Sequence, residues 1–66
     1  MKVMINGEVR DVPEAESVMD VVRHSGYDGR SIAVALNGDF VARSQYAETK
    51  LNENDALEIV TPIAGG

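Results

Sequence analysis

The sequence contains no cysteine and only one histidine, His24. Without cysteine there can be no disulfide, no thiolate metal site and no cysteine nucleophile. A single imidazole likewise excludes a metal site built from several histidines. Basic residues are also few, because six lysines and arginines stand against eleven acids and give a formal net charge of −5. Nucleic-acid binding needs a basic surface and is therefore excluded, whereas a basic protein partner suits this charge.

Long apolar runs are missing as well. The longest uncharged stretches, Ser31–Gly38 and Ile59–Gly66, are far shorter than the roughly 20 residues of a membrane-spanning helix. The first residues lack the apolar core of a signal peptide, so we expect a cytoplasmic protein. A chain of 66 residues allows one small domain with a thin core and no deep, enclosed active site.

The clearest local signal is a repeated Asn-Gly pair, Asn6-Gly7 and Asn37-Gly38. Asn-Gly suits the two-residue turn of a β-hairpin, in which both central residues need positive φ. The first pair predicts strands at about 2–6 and 8–12, and the second predicts strands at about 32–36 and 39–42. A last strand is predicted at about 56–61, after a polar segment, Arg43–Lys50, that contains one irregular helical turn.

A short helix is predicted between the two hairpins, at about residues 17–25. Ser17 is the predicted N-cap, with Asp20 three residues later, and Gly26 follows the last turn. Val18, Val21 and Val22 form one apolar stripe, which we expect to pack on the sheet. The residues predicted to form the core share one face of each element: Val3, Ile5, Val18, Val22, Ile32, Val34, Leu36, Leu51, Leu57 and Ile59.

Two hairpins, an intervening helix and a closing strand predict an α+β fold. In this fold a mixed sheet of four to five strands packs on one helix, which covers only one of its faces. This is the β-grasp arrangement of ubiquitin-like proteins. The predicted domain comprises residues 1–61, and residues 62–66 are predicted to form a flexible C-terminal tail.

The sequence shows no constellation of catalytic residues. It has no phosphate-binding loop, and its serines have only His24 as a possible base. We interpret His24 as a residue of the last helical turn that is satisfied by solvent or carbonyls, and Glu14 and Glu16 as solvated acids before the helix. No catalytic residue, no metal site and no bound cofactor are therefore predicted, and the protein is not expected to be an enzyme.

The C-terminal segment, Pro62–Gly66, carries the functional hypothesis. Five residues reach about 17 Å when extended, and glycines are slim enough to enter a narrow channel in a partner. The only reactive group delivered in this way is the carboxylate of Gly66. Adenylation by a partner that uses ATP would activate it, after which a sulfur nucleophile would give a thiocarboxylate and an amine would give an amide. The first outcome describes a sulfur carrier and the second a protein modifier.

Several segments taken together are more specific than the diglycine. They are the opening strand with Asn6-Gly7-Glu8, the helix start at Ser17, Ile32–Gly38, Arg43–Ala47 and Glu58–Gly66. Over its whole length the chain resembles the ThiS family, the sulfur carriers of thiamine thiazole synthesis. It departs from that pattern at Val21-Val22, where the family is expected to have leucines; this is a conservative change in the core.

The resemblance implies a sequence of partners. The Gly66 carboxylate would be adenylated by a ThiF-like (E1-like) enzyme with ATP and then converted to a thiocarboxylate. Thiazole synthase, ThiG, would receive the sulfur. Gly66 would be the covalent carrier, Gly65 its slim neighbour, and Pro62, Ile63 and Ala64 would line the partner's channel.

A partner surface is predicted on the sheet face away from the helix. Strand alternation places five residues there: Met4, Ala33, Ala35, Glu58 and Val60. We hypothesise that this face docks the E1-like enzyme, although an open, solvated face would show the same pattern.

Other functions fit the same residues. The chain could be the small subunit of molybdopterin synthase or a carrier for another sulfur pathway, such as cysteine synthesis. It could also be a ubiquitin-type modifier, or a binding module whose diglycine is incidental.

Overall fold

A computed structural model describes residues 1–27 and 31–61. This part of the chain contains five strands, one α-helix and one 3-10 turn. They are β1 (Lys2–Ile5), β2 (Glu8–Asp11), α1 (Val18–His24), β3 (Ala33–Leu36), β4 (Asp39–Val41), the 3-10 turn Arg43–Gln45 and β5 (Ala56–Val60). Each predicted element is present. The ends of the helix and of every strand lie within one residue of the predicted ends. The predicted tail, residues 62–66, lies outside the described residues.

The sheet has the strand order β2-β1-β5-β3-β4. Strands β1 and β5 run parallel, and all other neighbours are antiparallel. A parallel pair needs a long crossover, which here contains α1 and the second hairpin. The result is the predicted mixed sheet of the β-grasp fold, now with five strands and with β5 at its centre.

Both Asn-Gly turns have the predicted backbone and also hold β5 in place. Asn6 and Asn37 have φ values of 52° and 51°, and the glycines that follow them are also at positive φ. The Asn6 side-chain oxygen accepts a 2.8 Å hydrogen bond from the Ile59 N–H. The Asn37 side-chain oxygen accepts one of 2.9 Å from the Ala56 N–H. The two hairpin turns therefore fasten the central strand from both sides.

The helix begins with a reciprocal cap. The Asp20 N–H donates to the Ser17 hydroxyl at 3.1 Å, and the Ser17 N–H donates to the Asp20 carboxylate at 3.1 Å. Two backbone donors of the first turn are thereby satisfied. A helix of seven residues is nevertheless marginal alone, so α1 depends on the burial of its three valines against the sheet.

The core lies between α1 and the inner face of the sheet, meaning the face that α1 covers. Its buried apolar residues are Val3, Val18, Val21, Val22, Val34, Val41, Tyr46, Leu51, Leu57 and Ile59. Three predicted core residues, Ile5, Ile32 and Leu36, are only partly buried. Three buried residues are absent from the predicted core: Val21, which was predicted only as part of the helix stripe, Val41 and Tyr46. Tyr46 follows the 3-10 turn, and an isolated aromatic residue in a polar segment has no periodicity to reveal its direction.

Of the two acids before α1 that are predicted to be solvated, one is buried. Glu14 is exposed, but Glu16 is only 7% exposed. The Glu16 carbonyl accepts a 2.9 Å hydrogen bond from the Leu51 N–H, and Ser17 forms a β-bridge with Lys50. This pairing with a distant segment draws Glu16 inward, so its interpretation as a solvated acid is wrong.

Replacing Val34 by alanine tests the inner face of the sheet. Val34 is fully buried on β3, so Val34→Ala should lower the free energy of unfolding by about 1–3 kcal/mol. The matched control is Val60→Ala, which removes the same two methyl groups from an exposed position of β5 and should cost less than about 0.5 kcal/mol. Chemical denaturation of both variants measures the difference, and equal costs would contradict the assignment of the two faces.

The cap of α1 should make stability fall in acid. Hydrogen bonds from the Ser17 backbone and hydroxyl lower the pKa of Asp20. A carboxyl whose pKa is lower in the folded state stabilises the fold above its ordinary pKa, near 3.8, and this contribution disappears as the pH falls through the lowered folded value. Asp20→Asn should therefore flatten the acid limb of a stability–pH curve measured by denaturation.

Ser17→Ala provides a second test of the same cap, because it removes the hydroxyl that both accepts from and donates to Asp20. It should lower stability by about 1 kcal/mol at neutral pH and also flatten the acid limb. An acid limb unchanged in both variants would show that the cap does not control this titration.

Candidate functional site

The five predicted surface residues lie on one face of the sheet. Val3 is buried under α1, so its neighbour Met4 points to the opposite side, here called the outer face. Cross-strand partners share a face, and the register pairs Ala33 with Val60 and Ala35 with Glu58. Met4, Ala33, Glu58 and Val60 are exposed and Ala35 is half-buried.

Two further apolar residues extend this surface. Phe40, which is 74% exposed, pairs with Ala35, and Val9 pairs with Met4. Together with Met4 and Val60, they account for every exposed large hydrophobic side chain in the described part of the chain. Sequence reasoning missed both, although alternation along β4 supplied a signal: once Val41 points into the core, Phe40 must point outward. A concentration of apolar side chains on one open face is typical of a protein-binding surface.

The charges of the outer face are arranged around this apolar surface. Glu58 places a carboxylate on the central strand, beside Ala35. At one end, Lys2 and Asp11 form a 2.7 Å ion pair, whose hydrogen bond raises the pKa of Lys2 and lowers the pKa of Asp11. Both side chains of this pair are solvent-exposed, so it contributes little to stability. Glu58 therefore favours a partner that presents a basic group within an apolar contact.

The path of the chain links this face to the predicted tail. Strand β5 ends at Val60, which pairs with Ala33 on the outer face. The predicted carrier residue Gly66 and its neighbours Gly65, Ala64, Ile63 and Pro62 lie outside the described residues. A partner seated on the outer face would thus lie next to the point where the chain leaves the sheet.

His24 has a different neighbour from the one predicted. Its ring is 70% exposed, and Nδ1 lies 2.9 Å from Glu16 Oε2. Its exposure agrees with the interpretation of a solvated residue of the last helical turn, but the contact with a buried carboxylate was not predicted. Within residues 1–27 and 31–61 no serine is hydrogen-bonded to His24, and no three His, Asp or Glu side chains are grouped as metal ligands.

No helix in the described residues is long and apolar enough to cross a membrane.

Comparison with known proteins gives one consistent picture. The ThiS family model matches residues 3–66. The chain is 41% identical, over all 66 of its residues, to a thiazole synthase of Paramagnetospirillum magneticum, and 30% identical to a thiazole synthase of Magnetococcus marinus. It spans about a fifth of the length of these two curated relatives, 20% in each case.

The fold is similar to a solved structure over its full length. The crystal structure of the thiamine biosynthesis protein ThiS from Geobacter metallireducens superposes with a TM-score of 0.86 and 25% sequence identity. The match covers 100% of both chains. The solution structure of a thiamine biosynthesis protein from the same organism gives a TM-score of 0.80 and covers 88% of that chain.

Proposed function

This chain belongs to the ThiS family, and on that premise we propose that it is a sulfur carrier whose Gly66 carboxyl group donates sulfur, as a thiocarboxylate, for thiazole formation in thiamine biosynthesis. The observation that carries the proposal is the extent of the family match, which includes the diglycine and the residues before it. The fold supports it, because a solved ThiS structure superposes over the whole chain.

The chemistry must come from partners. A terminal carboxylate, with an ordinary pKa of about 3.5, is ionised at neutral pH and is a poor electrophile. In the proposed route a Gly66 carboxylate oxygen attacks the α-phosphorus of ATP, and pyrophosphate leaves. A sulfur nucleophile then attacks the acyl carbon and AMP leaves, so that the acyl–sulfur bond replaces the acyl–phosphate bond. A ThiF-like adenylyltransferase binds the ATP and catalyses the reaction, and this chain supplies the acyl group.

The outer face is the proposed docking surface for this enzyme. Its exposed apolar side chains suit a contact that excludes water, and the two alanines between Phe40 and Val60 let a partner approach the sheet closely. Strand β5 ends at Val60 on this face, so a tail that leaves the sheet there would start beside the bound partner. Docking on the folded domain would thereby place Gly66 in the partner's channel without any contribution from the core.

Thiazole synthase, ThiG, is the proposed acceptor of the sulfur. Proteins named thiazole synthase contain a segment similar to this entire chain, which makes up only a fifth of their length. A carrier segment and the enzyme it serves are often joined when they act in succession, because a linker raises their effective concentration. Here the carrier and ThiG would act in the same order, whether they are separate proteins or are joined by a linker.

The tail should be required for sulfur loading and dispensable for folding. Deleting Gly65 and Gly66 should abolish the mass gain of about 16 Da, sulfur replacing oxygen, after incubation with ATP, a ThiF-like enzyme and sulfide. Thermal stability should be nearly unchanged, because a chain end contributes few buried contacts. Gly65→Val should also impair loading, since a branched side chain widens the tail and restricts its backbone.

Intact-mass spectrometry of each variant is the measurement. Sulfur gain by the deletion variant at the wild-type rate would overturn the carrier proposal. High-mass conjugates of the wild type would indicate a modifier, and no mass change would indicate a binding module. Transfer of the sulfur to molybdopterin synthase but not to thiazole synthase would identify the other sulfur pathway.

An arginine in the centre of the outer face should block docking. Ala35→Arg places a long cation between Phe40 and Glu58 and should weaken binding to the ThiF-like enzyme by about tenfold or more, without unfolding the domain. Ala47→Arg is the matched control, because Ala47 is exposed and lies outside the sheet. Calorimetry on folded samples measures both, and equal affinities would remove the outer face from the interface.

A further inference from the structure

A groove of about 610 Å³ lies on the helix side of the sheet, between β2 and the C-terminal end of α1. Glu8 and Arg10 of β2 pair with Ile5 and Val3, so their side chains point to the inner side of the sheet. Strand β2 is at the edge and all four of its residues are exposed, which leaves this strip uncovered by α1. We call this cleft the edge groove; it lies on the opposite side of the sheet from the outer face.

The edge groove has apolar and acidic parts. Ile5, Val12, Val21 and Tyr27 supply apolar lining. Three acids also line it, but two already have cationic partners. Glu8 is paired with Arg10 at 2.9 Å; Asp11 borders the groove, but its side chain is on the outer face, where it is paired with Lys2 at 2.7 Å. The third acid, Glu16, is the one whose charge is not balanced by a lysine or arginine among the described residues.

Glu16 is an unusual residue for so small a core. Its side chain is more than nine-tenths buried, and its Oε2 atom has no hydrogen-bond partner among the described residues. His24 Nδ1 is 2.9 Å from this oxygen, but the contact does not have hydrogen-bond geometry. Burying a carboxylate without a donor is costly, and an amide or apolar side chain would avoid that cost. A buried acid with an unused oxygen beside a groove is a candidate site for a cationic group.

The shape of the edge groove defines that partner. The groove is too large for a bare ion, and no third metal-binding side chain joins Glu16 and His24 in the described part of the chain. An apolar lining that leads to a carboxylate fits an aliphatic stem with a cationic head, as in lysine and arginine. A single contact of this kind is weak in isolation. It becomes useful when the partner protein also binds the chain elsewhere, because that binding raises the local concentration of the side chain.

We propose that the edge groove receives a lysine or arginine side chain of a partner protein, whose cationic head replaces the His24 ring against Glu16. His24 covers Oε2 in the structure, but its ring is largely in solvent and is held by no other described hydrogen bond. Rotation of an exposed ring costs little, so His24 acts as a displaceable cover. The site is independent of the tail and the outer face, and therefore of the sulfur-carrier proposal.

Amide chemical shifts of the full chain provide the test. The probe is a capped Gly-Arg-Gly peptide, and the uncharged control peptide contains citrulline in place of arginine. The arginine peptide should shift the resonances of the edge groove, including Val21 and Ser25, and leave those of Phe40 and Val60 on the outer face unchanged. The citrulline peptide should have a much smaller effect, because it lacks the charge.

Two substitutions identify the groups involved. Glu16→Gln keeps the shape of the side chain and should weaken binding of the arginine peptide by about tenfold, since it removes a charge-assisted hydrogen bond. Glu48→Gln is the matched control, because it changes the net charge equally at an exposed position outside the groove and should leave the affinity unchanged. His24→Ala should strengthen binding by about threefold, because the cover no longer competes.

His24→Ala also separates this proposal from a metal site, because zinc binding would weaken when the imidazole is lost. Since His24 is exposed, this variant should fold even if Glu16→Gln does not. Equal shifts with the arginine and citrulline peptides would overturn the proposal. So would wild-type affinity in Glu16→Gln, or zinc perturbing Glu16 and His24 while the arginine peptide leaves the groove unchanged.

Discussion

A single short helix covers one face of a five-stranded sheet, and the rest of the structure depends on this constraint. Seven residues cannot form a stable helix alone, so α1 exists only where its valines meet the inner face. The core is correspondingly thin, and the sheet is much wider than the helix. One face therefore stays open, and on the helix side the edge strand β2 is also left uncovered. Both proposed contact surfaces are consequences of this mismatch in size.

Strand β5 connects the fold to the proposed function. It lies at the centre of the sheet, between a parallel and an antiparallel neighbour, and two of its backbone N–H groups donate to the asparagine side chains of the Asn-Gly turns. Leu57 and Ile59 anchor it in the core, while Glu58 and Val60 face outward. The segment that follows is thus attached to the best-held strand of the domain. Under the proposed function, such an attachment would give the tail a defined starting point beside the proposed docking face.

The two surfaces differ in the partner chemistry that they favour. The outer face is broad and mainly apolar, with one central carboxylate, and suits a large contact with an activating enzyme. The edge groove has an apolar lining beside one buried carboxylate, and suits a single basic side chain. Since they lie on opposite sides of the sheet, one partner could occupy the outer face while another contacts the groove. The net charge of −5 would attract basic partners to both.

Local interactions made much of this protein predictable from its sequence. The Asn-Gly turns, the Ser17–Asp20 cap and the alternation of β3 and β5 each depend on residues close together in the chain, and they gave the elements and the β-grasp order. Several segments along the whole chain, the C-terminal one with the diglycine among them, indicated the family, which the comparison confirmed. Tertiary pairing decided the rest. The bridge between residues 17 and 50 buries Glu16, and the strand order gathers Val9, Met4, Val60 and Phe40 on one face. Strand alternation predicted the direction of Met4 and Val60, but it does not predict which strands are neighbours or that residues 17 and 50 pair, because contacts between distant segments leave no periodic signal in the sequence.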